Sequence, residues 1–353
     1  MKQTILQIND LRVQFIDKSV CVDAVRGVNL EIKKGKTIGI IGESGSGKSQ
    51  TAQAILGLTQ GFPGIVGGEI LFDGKNLLEG IPEIGLIKDN RDAKKIQNWF
   101  TKAQSNFKSI RGKKIALIFQ DARASLVPYK TIRQQAKETW LATNENDMHA
   151  FENRIVRLSK ALNFRDIKGV LESYPNQLSG GESQRAYIML ALLGNPEILI
   201  ADEPTSSLDP ATSSKIIYLL KELSNEEGFS LLLISHNLNQ ILNISDYLYV
   251  FYKGAVIEEI EMSGTDRIEP YHPYTQFLFS MIKGKAFIDL RVSLNQQYII
   301  NIDSKNRKGC AYSEICSLKK TLNLDKQLLC ESEAPPLTVL PNERKVACWE
   351  YEK

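Results

Sequence analysis

The sequence predicts an α/β fold built on a parallel β-sheet, and three stretches carry the prediction. The apolar run Ile38, Gly39, Ile40, Ile41 leads through a glycine-rich loop into a helix-forming segment, Gln50 to Leu58. The runs Ile198 to Ala201 and Leu231 to Ile234 repeat the apolar pattern, with an apolar-rich helical stretch, Ser213 to Leu223, between them. Short apolar runs of this kind read as strands buried on both faces, and their alternation with helices implies parallel pairing.

In chain order, the region from Ile5 to about Ile115 mixes short strands with the loop and its helix. The loop reads Gly42-Glu43-Ser44-Gly45-Ser46-Gly47-Lys48-Ser49, a complete G-x-x-x-x-G-K-[ST] pattern in the strand–loop–helix setting it needs. Its glycines let backbone N–H groups turn inward around phosphate oxygens, and the helix that follows favours anions at its N-terminus. Lys48 would neutralise the outer phosphates, and Ser49 would offer its hydroxyl to Mg2+. Glu69-Ile70-Leu71-Phe72 reads as a strand ending at the turn Asp73-Gly74. Between Lys88 and Lys114 stand nine Lys or Arg against two acids, which reads as a solvated surface helix or helical hairpin, or as a contact for anionic headgroups or an acidic partner.

From Thr131 to Tyr174 the pattern is helical, and Phe151, Ile155, Leu158 and Leu162 recur at the spacing of one apolar face. Ser179, Gly180 and Gly181 then precede a helix expected from about Glu182 to Leu193, which Gly194-Asn195-Pro196 stops. Such a helix start is a second anion site. The strand Ile198 to Ala201 ends in Asp202-Glu203-Pro204, which places two carboxylates at the C-terminal end of a buried strand, where open α/β sheets hold ligands. Asp202 suits the Mg2+ shell, because hard cations take oxygen ligands. Glu203 is placed to orient or deprotonate an attacking water.

Taken together, Gly42 to Ser49, Leu178 to Arg185 and Asp202-Glu203 resemble the ATP-binding subunits of ABC transporters, and the match runs through the first three quarters of the chain. The resemblance implies a P-loop ATPase domain over 1–265, with a parallel-sheet core, an antiparallel β subdomain and an α-helical subdomain at about 129–195. It implies that Phe15 stacks on adenine, that Gln50 joins the nucleotide site, and that Gln120 links the metal site to a membrane subunit. It also implies that Asp209, in Ser207-Leu208-Asp209, meets a partner protomer and that His236 senses the γ-phosphate. ATP would be clamped between the phosphate loop of one protomer and Ser179, Gly180 and Gly181 of another, with Glu203 as base and Lys48, Gln120 and His236 assisting. Asn237 stands where the family commonly has Asp, and Ala122-Arg123-Ala124 replaces a stretch that commonly contains proline.

The region 266–353 narrows the resemblance. His272-Pro273-Tyr274-Thr275, with the apolar helical stretch to Ile282, resembles peptide and nickel importer ATPases. Cys310, Cys316, Cys330 and Cys348 fall in the last 44 residues and resemble the cysteine tail of oligopeptide and dipeptide permease ATPases, which can hold a [4Fe-4S] cluster. Five residues separate Cys310 from Cys316 as in that tail, but Ile315-Cys316-Ser317 replaces its Arg-Cys-Pro, and the thirteen residues to Cys330 exceed its interval. A [4Fe-4S] cluster, a tetrahedral zinc ion and metal-free thiols therefore all stay open. A reducing cytosol disfavours disulfides, and Cys21 reads as a buried small residue. The subfamily implies two transmembrane permease subunits, a second ABC ATPase in a heterodimer, with a homodimer as the alternative, a solute-binding protein acting indirectly, and a peripheral place at the cytoplasmic face of the membrane.

Composition agrees with these readings. With 42% hydrophobic residues the chain can bury a sizeable core, and its apolar runs are too short to span a bilayer. The polar and apolar alternation of Gln3 to Ile8 is not that of a secretory signal. A net charge of +3, with no basic stripe interleaved with aromatics, gives no reason to expect nucleic acid. The other class of function to weigh is a soluble ABC ATPase acting on ribosomes or DNA, but such chains usually carry tandem ATPase domains or long coiled coils.

Overall fold

The computed structural model describes residues 3–17, 20–82, 90–143, 147–262, 269–282, 309–341 and 344–352. Strands β1 (Thr4–Asp17) and β2 (Val20–Lys33) pair antiparallel and lead into β3 (Thr37–Gly42), the phosphate loop and α1 (Lys48–Ile55). Next come β4 (Pro63–Phe72), β5 (Lys75–Asn76), α2 (Asn90–Lys108) and β6 (Ile115–Ile118). A helical region follows: α3 (Ala122–Ser125), α4 (Ile132–Thr143), α5 (Met148–Ala161), α6 (Ile167–Glu172) and α7 (Gly180–Leu192). The chain then runs through β7 (Ile198–Asp202), α8 (Pro210–Glu227), β8 (Ser230–Ile234), α9 (Leu238–Ile244), β9 (Tyr247–Tyr252) and β10 (Ala255–Glu261). The C-terminal part holds α10 (Pro273–Ile282), α11 (Leu324–Ser332), β11 (Thr338–Val339) and β12 (Lys345–Val346).

Two sheets result. One is antiparallel, in the order β2-β1-β4-β5, and the other runs β11-β12-β10-β9-β3-β8-β7-β6. From β9 to β6 every neighbouring pair in the second sheet is parallel, as the apolar runs predict. Alternation along these strands divides the core in two. Ile41, Leu199, Ala201, Leu231 and Leu233 face the helical region, whereas Ile38, Ile40, Ile198, Ile200, Leu232 and Ile234 face the antiparallel sheet and α1. The parallel sheet is thereby covered on both sides, and its strand ends are held in fixed register beside the phosphate loop.

Phe151, Ile155 and Leu158 are buried on one side of α5, and Leu162 is buried at its C-cap, as their spacing predicts. Ile155 is fully buried, so Ile155→Ala is expected to destabilise the fold by about 2–5 kcal/mol in denaturant titration, through lost burial and the cavity left behind.

The structure modifies three sequence expectations. Over its described part the basic segment is one helix, α2, followed by turns over 109–114, and the helix is not fully solvated: Ala93, Ile96, Ala103 and Phe107 are buried along it while Lys94, Lys95, Lys102 and Lys108 stay exposed. Lys88 and Asp89 lie outside the described residues. Helix α7 starts at Gly180 rather than Glu182, because Ser179 and Glu182 form a reciprocal capping box that draws both glycines into the first turn. Cys21 is half-buried rather than buried, since β2 is an edge strand of the antiparallel sheet.

The C-terminal region also joins the core sheet. β12 pairs antiparallel with β10 and with β11, covering a sheet edge whose backbone groups would otherwise lack strand partners.

Candidate functional site

The phosphate loop turns between the end of β3 and the start of α1, with Glu43, Ser44 and Gly45 exposed and Ser46, Gly47 and Lys48 buried. Gly47 has φ +96°, and a Cβ there would lie 2.5 Å from the Ala24 carbonyl oxygen, so the loop can seat against β2 only with glycine at this position. The Gly254 N–H donates to the Ser46 carbonyl at 3.0 Å and fixes the other flank. Lys48 Nζ curls back on the loop, donating to the carbonyls of Gly42 (2.9 Å) and Glu43 (2.7 Å). Burial pushes the Lys48 ammonium down from its ordinary value, against the opposing pull of Glu203, Asp202 and Glu43. A phosphate would offer that ammonium a partner of higher charge than two carbonyls. Gln50, on α1, has its Oε1 buried with no hydrogen-bond partner among the described residues.

Asp202 ends β7 beside this loop. Ser49 Oγ donates to Asp202 Oδ1 at 3.0 Å, joining one residue of the loop motif to one of the acid motif across 153 positions. Burial pushes the Asp202 carboxyl up, the Ser49 hydrogen bond pulls it down, and the neighbouring Glu203 pushes it up again. A hydroxyl and a buried carboxylate, both hard oxygen donors in contact, fit a Mg2+ ion that keeps several of its waters.

Glu203 has φ +46°, a conformation uncommon for a residue with a side chain, and its N–H is held by the Ile234 carbonyl at 2.9 Å. Its Oε2 accepts from Gln120 Nε2 at 3.3 Å and lies 3.6 Å from His236 Nδ1. Gln120 follows β6, Glu203 follows β7 and His236 follows β8, so three parallel strands deliver the trio at their C-terminal ends. The Glu203 side chain is 24% exposed and that of His236 71%, which leaves room for water beside the carboxylate. Asn237 caps α9, accepting from the Gln240 N–H at 3.3 Å, so the departure at this position keeps a helix cap.

The second glycine motif lies elsewhere on the chain. A Cβ on Gly180 would sit 3.3 Å from Leu208, and one on Gly181 3.4 Å from Thr212, so the motif packs along the segment that contains Asp209. Asp209 caps α8, accepting from the N–H groups of Ala211 (3.1 Å) and Thr212 (3.0 Å). Among the described residues, no hydrogen bond or ion pair links Ser179, Gly180 or Gly181 to Gly42–Ser49. Phe15 lies half-buried on β1, opposite Val22 and Pro63.

Residues 25–206 match the family described as ABC transporter. The chain belongs to the ABC transporter family. It is an ABC-type ATPase, and relatives span nearly all of its length. The oligopeptide transport ATP-binding protein AppD of Bacillus subtilis is 32% identical over 99% of this chain and 98% of its own. The oligopeptide transport ATP-binding protein OppD of Escherichia coli is 33% identical, covering 98% and 93% respectively. An ATP-binding cassette solved as a dimer in a post-hydrolysis state, bound to ADP and Pi, superposes with a TM-score of 0.57 at 26% identity, covering 74% of this chain and 100% of that one.

The tail of this ABC ATPase brings its four cysteines into one neighbourhood. The Cys310 N–H donates to the Cys330 carbonyl at 2.9 Å, and Cys310 and Cys330 pack with Leu322 and Trp349. Burial pushes the Cys330 thiol up to about 11, with Cys310 and Cys316 adding to the rise. It pushes Cys348 up to about 12, with Cys310, Cys316 and Cys330 adding to it. Four thiols are the donor set of a [4Fe-4S] cluster or a zinc site. Their placement is not: among the described residues no group of three or more His, Cys, Asp or Glu side chains is set to hold a metal ion. No helix among the described residues is long and apolar enough to cross a membrane.

Sequence reasoning missed two partners of the ABC site. Ser206 Oγ donates to the Gln120 carbonyl at 3.3 Å and steadies the loop after β6. Tyr274 meets the phosphate loop itself, accepting from the Glu43 N–H at 3.2 Å. A serine near the acid motif could have been suspected, but nothing in local spacing announces a contact across 231 positions.

Proposed function

We propose that this ABC ATPase energises the import of oligopeptides, dipeptides or related small solutes through two transmembrane permease subunits at the cytoplasmic face of the membrane. The observation that carries the reading is the convergence of Ser49 with Asp202, and of Gln120 and His236 with Glu203, beside a complete phosphate loop. Near full-length similarity to peptide transport ATP-binding proteins supports the choice of cargo.

In this reading 1–265 is the ATPase domain, with a helical subdomain at 129–195, and 266–353 is its extension. Phe15, Gln50 and Gly42 to Ser49 bind ATP, Ser49 and Asp202 hold Mg2+ with Gln120 at its edge, and Glu203 takes a proton from water. The ion supplies charge neutralisation between the phosphates when bound. His236 reports the γ-phosphate to Glu203 through the 3.6 Å contact. Ser179, Gly180, Gly181 and Asp209 face the partner, so that two ATPase subunits close on nucleotide, as in the dimeric cassette bound to ADP and Pi. The partner is a related second ATPase, a solute-binding protein delivers cargo to the permease, and nucleic acid has no part.

For the tail, Cys310, Cys316, Cys330 and Cys348 are the proposed ligands of a [4Fe-4S] cluster, with zinc as the alternative occupant, on the chemistry of the donor set alone. Anaerobic copurification from the native membrane tests both proposals. Two permease subunits, a second ATPase and iron with a broad visible absorption band are the expected result. Ribosomal or DNA-associated partners without membrane subunits overturn the importer, and a preparation with neither iron nor zinc overturns the metal site.

A further inference from the structure

The contact between the C-terminal region and the phosphate loop is aimed at one peptide plane. The N–H of the Gly42–Glu43 peptide donates to the Tyr274 hydroxyl at 3.2 Å, and the carbonyl of the same peptide accepts from Lys48 Nζ at 2.9 Å. A trans peptide is planar, with its N–H and C=O on opposite sides. Tyr274 and Lys48 therefore hold the plane from its two edges, and rotating the plane would break both bonds together.

Tyr274 is itself firmly placed. It is 1% exposed, its ring lies 4.7 Å from that of Tyr252 and 5.8 Å from that of Tyr312, and its own N–H donates to His272 Nδ1 at 3.1 Å. Glu258, buried on β10, accepts from the N–H groups of Tyr271 (2.8 Å) and His272 (3.0 Å) and pairs with Arg344 of the tail at 3.2 Å. A buried tyrosine needs a partner for its hydroxyl, and a neighbouring helix or strand could supply one. Here the partner is the loop whose shape decides where phosphate oxygens meet backbone N–H groups.

We propose that Tyr274 is a positioning residue for nucleotide binding. Its hydroxyl sets the Gly42–Glu43 peptide, and through it the starting position of Lys48 and the aim of the N–H groups that follow. The His272-Pro273-Tyr274 segment thus belongs functionally to the nucleotide site although it lies outside the matched region 25–206. The inference rests on the chain being an ATP-binding ATPase.

Tyr274→Phe keeps the ring and removes the hydroxyl. The expected result is an ATP KM and Kd raised roughly three- to tenfold, the weight of one hydrogen bond, with kcat changed by no more than about twofold. Tyr312→Phe removes the hydroxyl of another ring in the same cluster and should leave both constants near those of the unaltered chain. Unchanged ATP affinity in a normally folded Tyr274→Phe protein overturns the proposal, as does an equal loss in Tyr312→Phe. Hydrogen exchange on the unaltered chain gives a test that does not depend on folding of the variant: the Glu43 amide should be strongly protected without nucleotide, and exchange at the rate of an open loop overturns the proposal. Failure of the unaltered chain to bind ATP would count against the ATPase reading instead, and the exchange result would then decide on Tyr274.

Discussion

Glu203→Gln is expected to leave ATP binding in place while lowering turnover by a factor of about 10² to 10⁴, the usual span for losing a general base. Glutamine has nearly the shape of glutamate and can still accept from Gln120 Nε2, so the geometry around the site should survive. It cannot take a proton from water. The 24% exposure of the Glu203 side chain and its 3.6 Å approach to His236 matter here, since in the proposed mechanism the carboxylate meets both water and the group that registers the γ-phosphate. With Mg2+ and ATP supplied, the variant should accumulate as a closed dimer, read by size exclusion beside single-turnover hydrolysis. Full hydrolysis by Glu203→Gln would move the proton acceptor elsewhere, with His236, 3.6 Å from Glu203, the candidate.

Much of this site was legible in the sequence because its parts are local patterns. An apolar run ending in glycine, or in two acids, gives both the strand and what stands at its C-terminal end, and β3, β7 and β8 appear within a residue or so of their expected bounds. The alternating three- and four-residue spacing of the apolar residues along α5 worked for the same reason. Two features were hidden by physics that is not local, and two local signals were given the wrong weight. Strands β11 and β12 have two residues each, too few to show an alternation, and their place at the edge of β10 is set by a long return of the chain. In α2 the charge count drew attention to the lysines, yet Ala93, Ile96, Ala103 and Phe107 at helical spacing were the signal that one side is buried. The Glu43–Tyr274 contact joins residues whose neighbourhood exists only after the fold has formed. The start of α7 was misplaced because glycine discourages helix in general, whereas the Ser179–Glu182 capping box decides this case.

That capping box also shapes the effect expected of Ser179→Ala. In the free chain Ser179 Oγ donates to Glu182 Oε2 at 2.6 Å and accepts from the Glu182 N–H at 3.3 Å, and its hydrogen bonds hold the Glu182 carboxyl below the usual range. Losing the cap should cost about 1 kcal/mol of stability, visible as a small shift in thermal unfolding. The loss of hydrolysis should be much larger and should fall on the other protomer. Ser179 is far along the chain from Lys48 and bonds only locally among the described residues, so its own phosphate loop keeps its contacts when the hydroxyl is removed. A partner's ATP, by contrast, would lose a hydroxyl donor at a helix N-terminus where backbone N–H groups already favour anions. A mixed dimer with Ser179→Ala in one protomer separates the two effects. The altered protomer should bind ATP with near-normal affinity, while the site completed by its Ser179 loses hydrolysis by about 10² or more, comparable to the loss of a preorganised donor. An equal loss of ATP binding at the altered protomer's own loop would instead mean that each site is built from one chain, and the closed two-protomer arrangement would have to be abandoned.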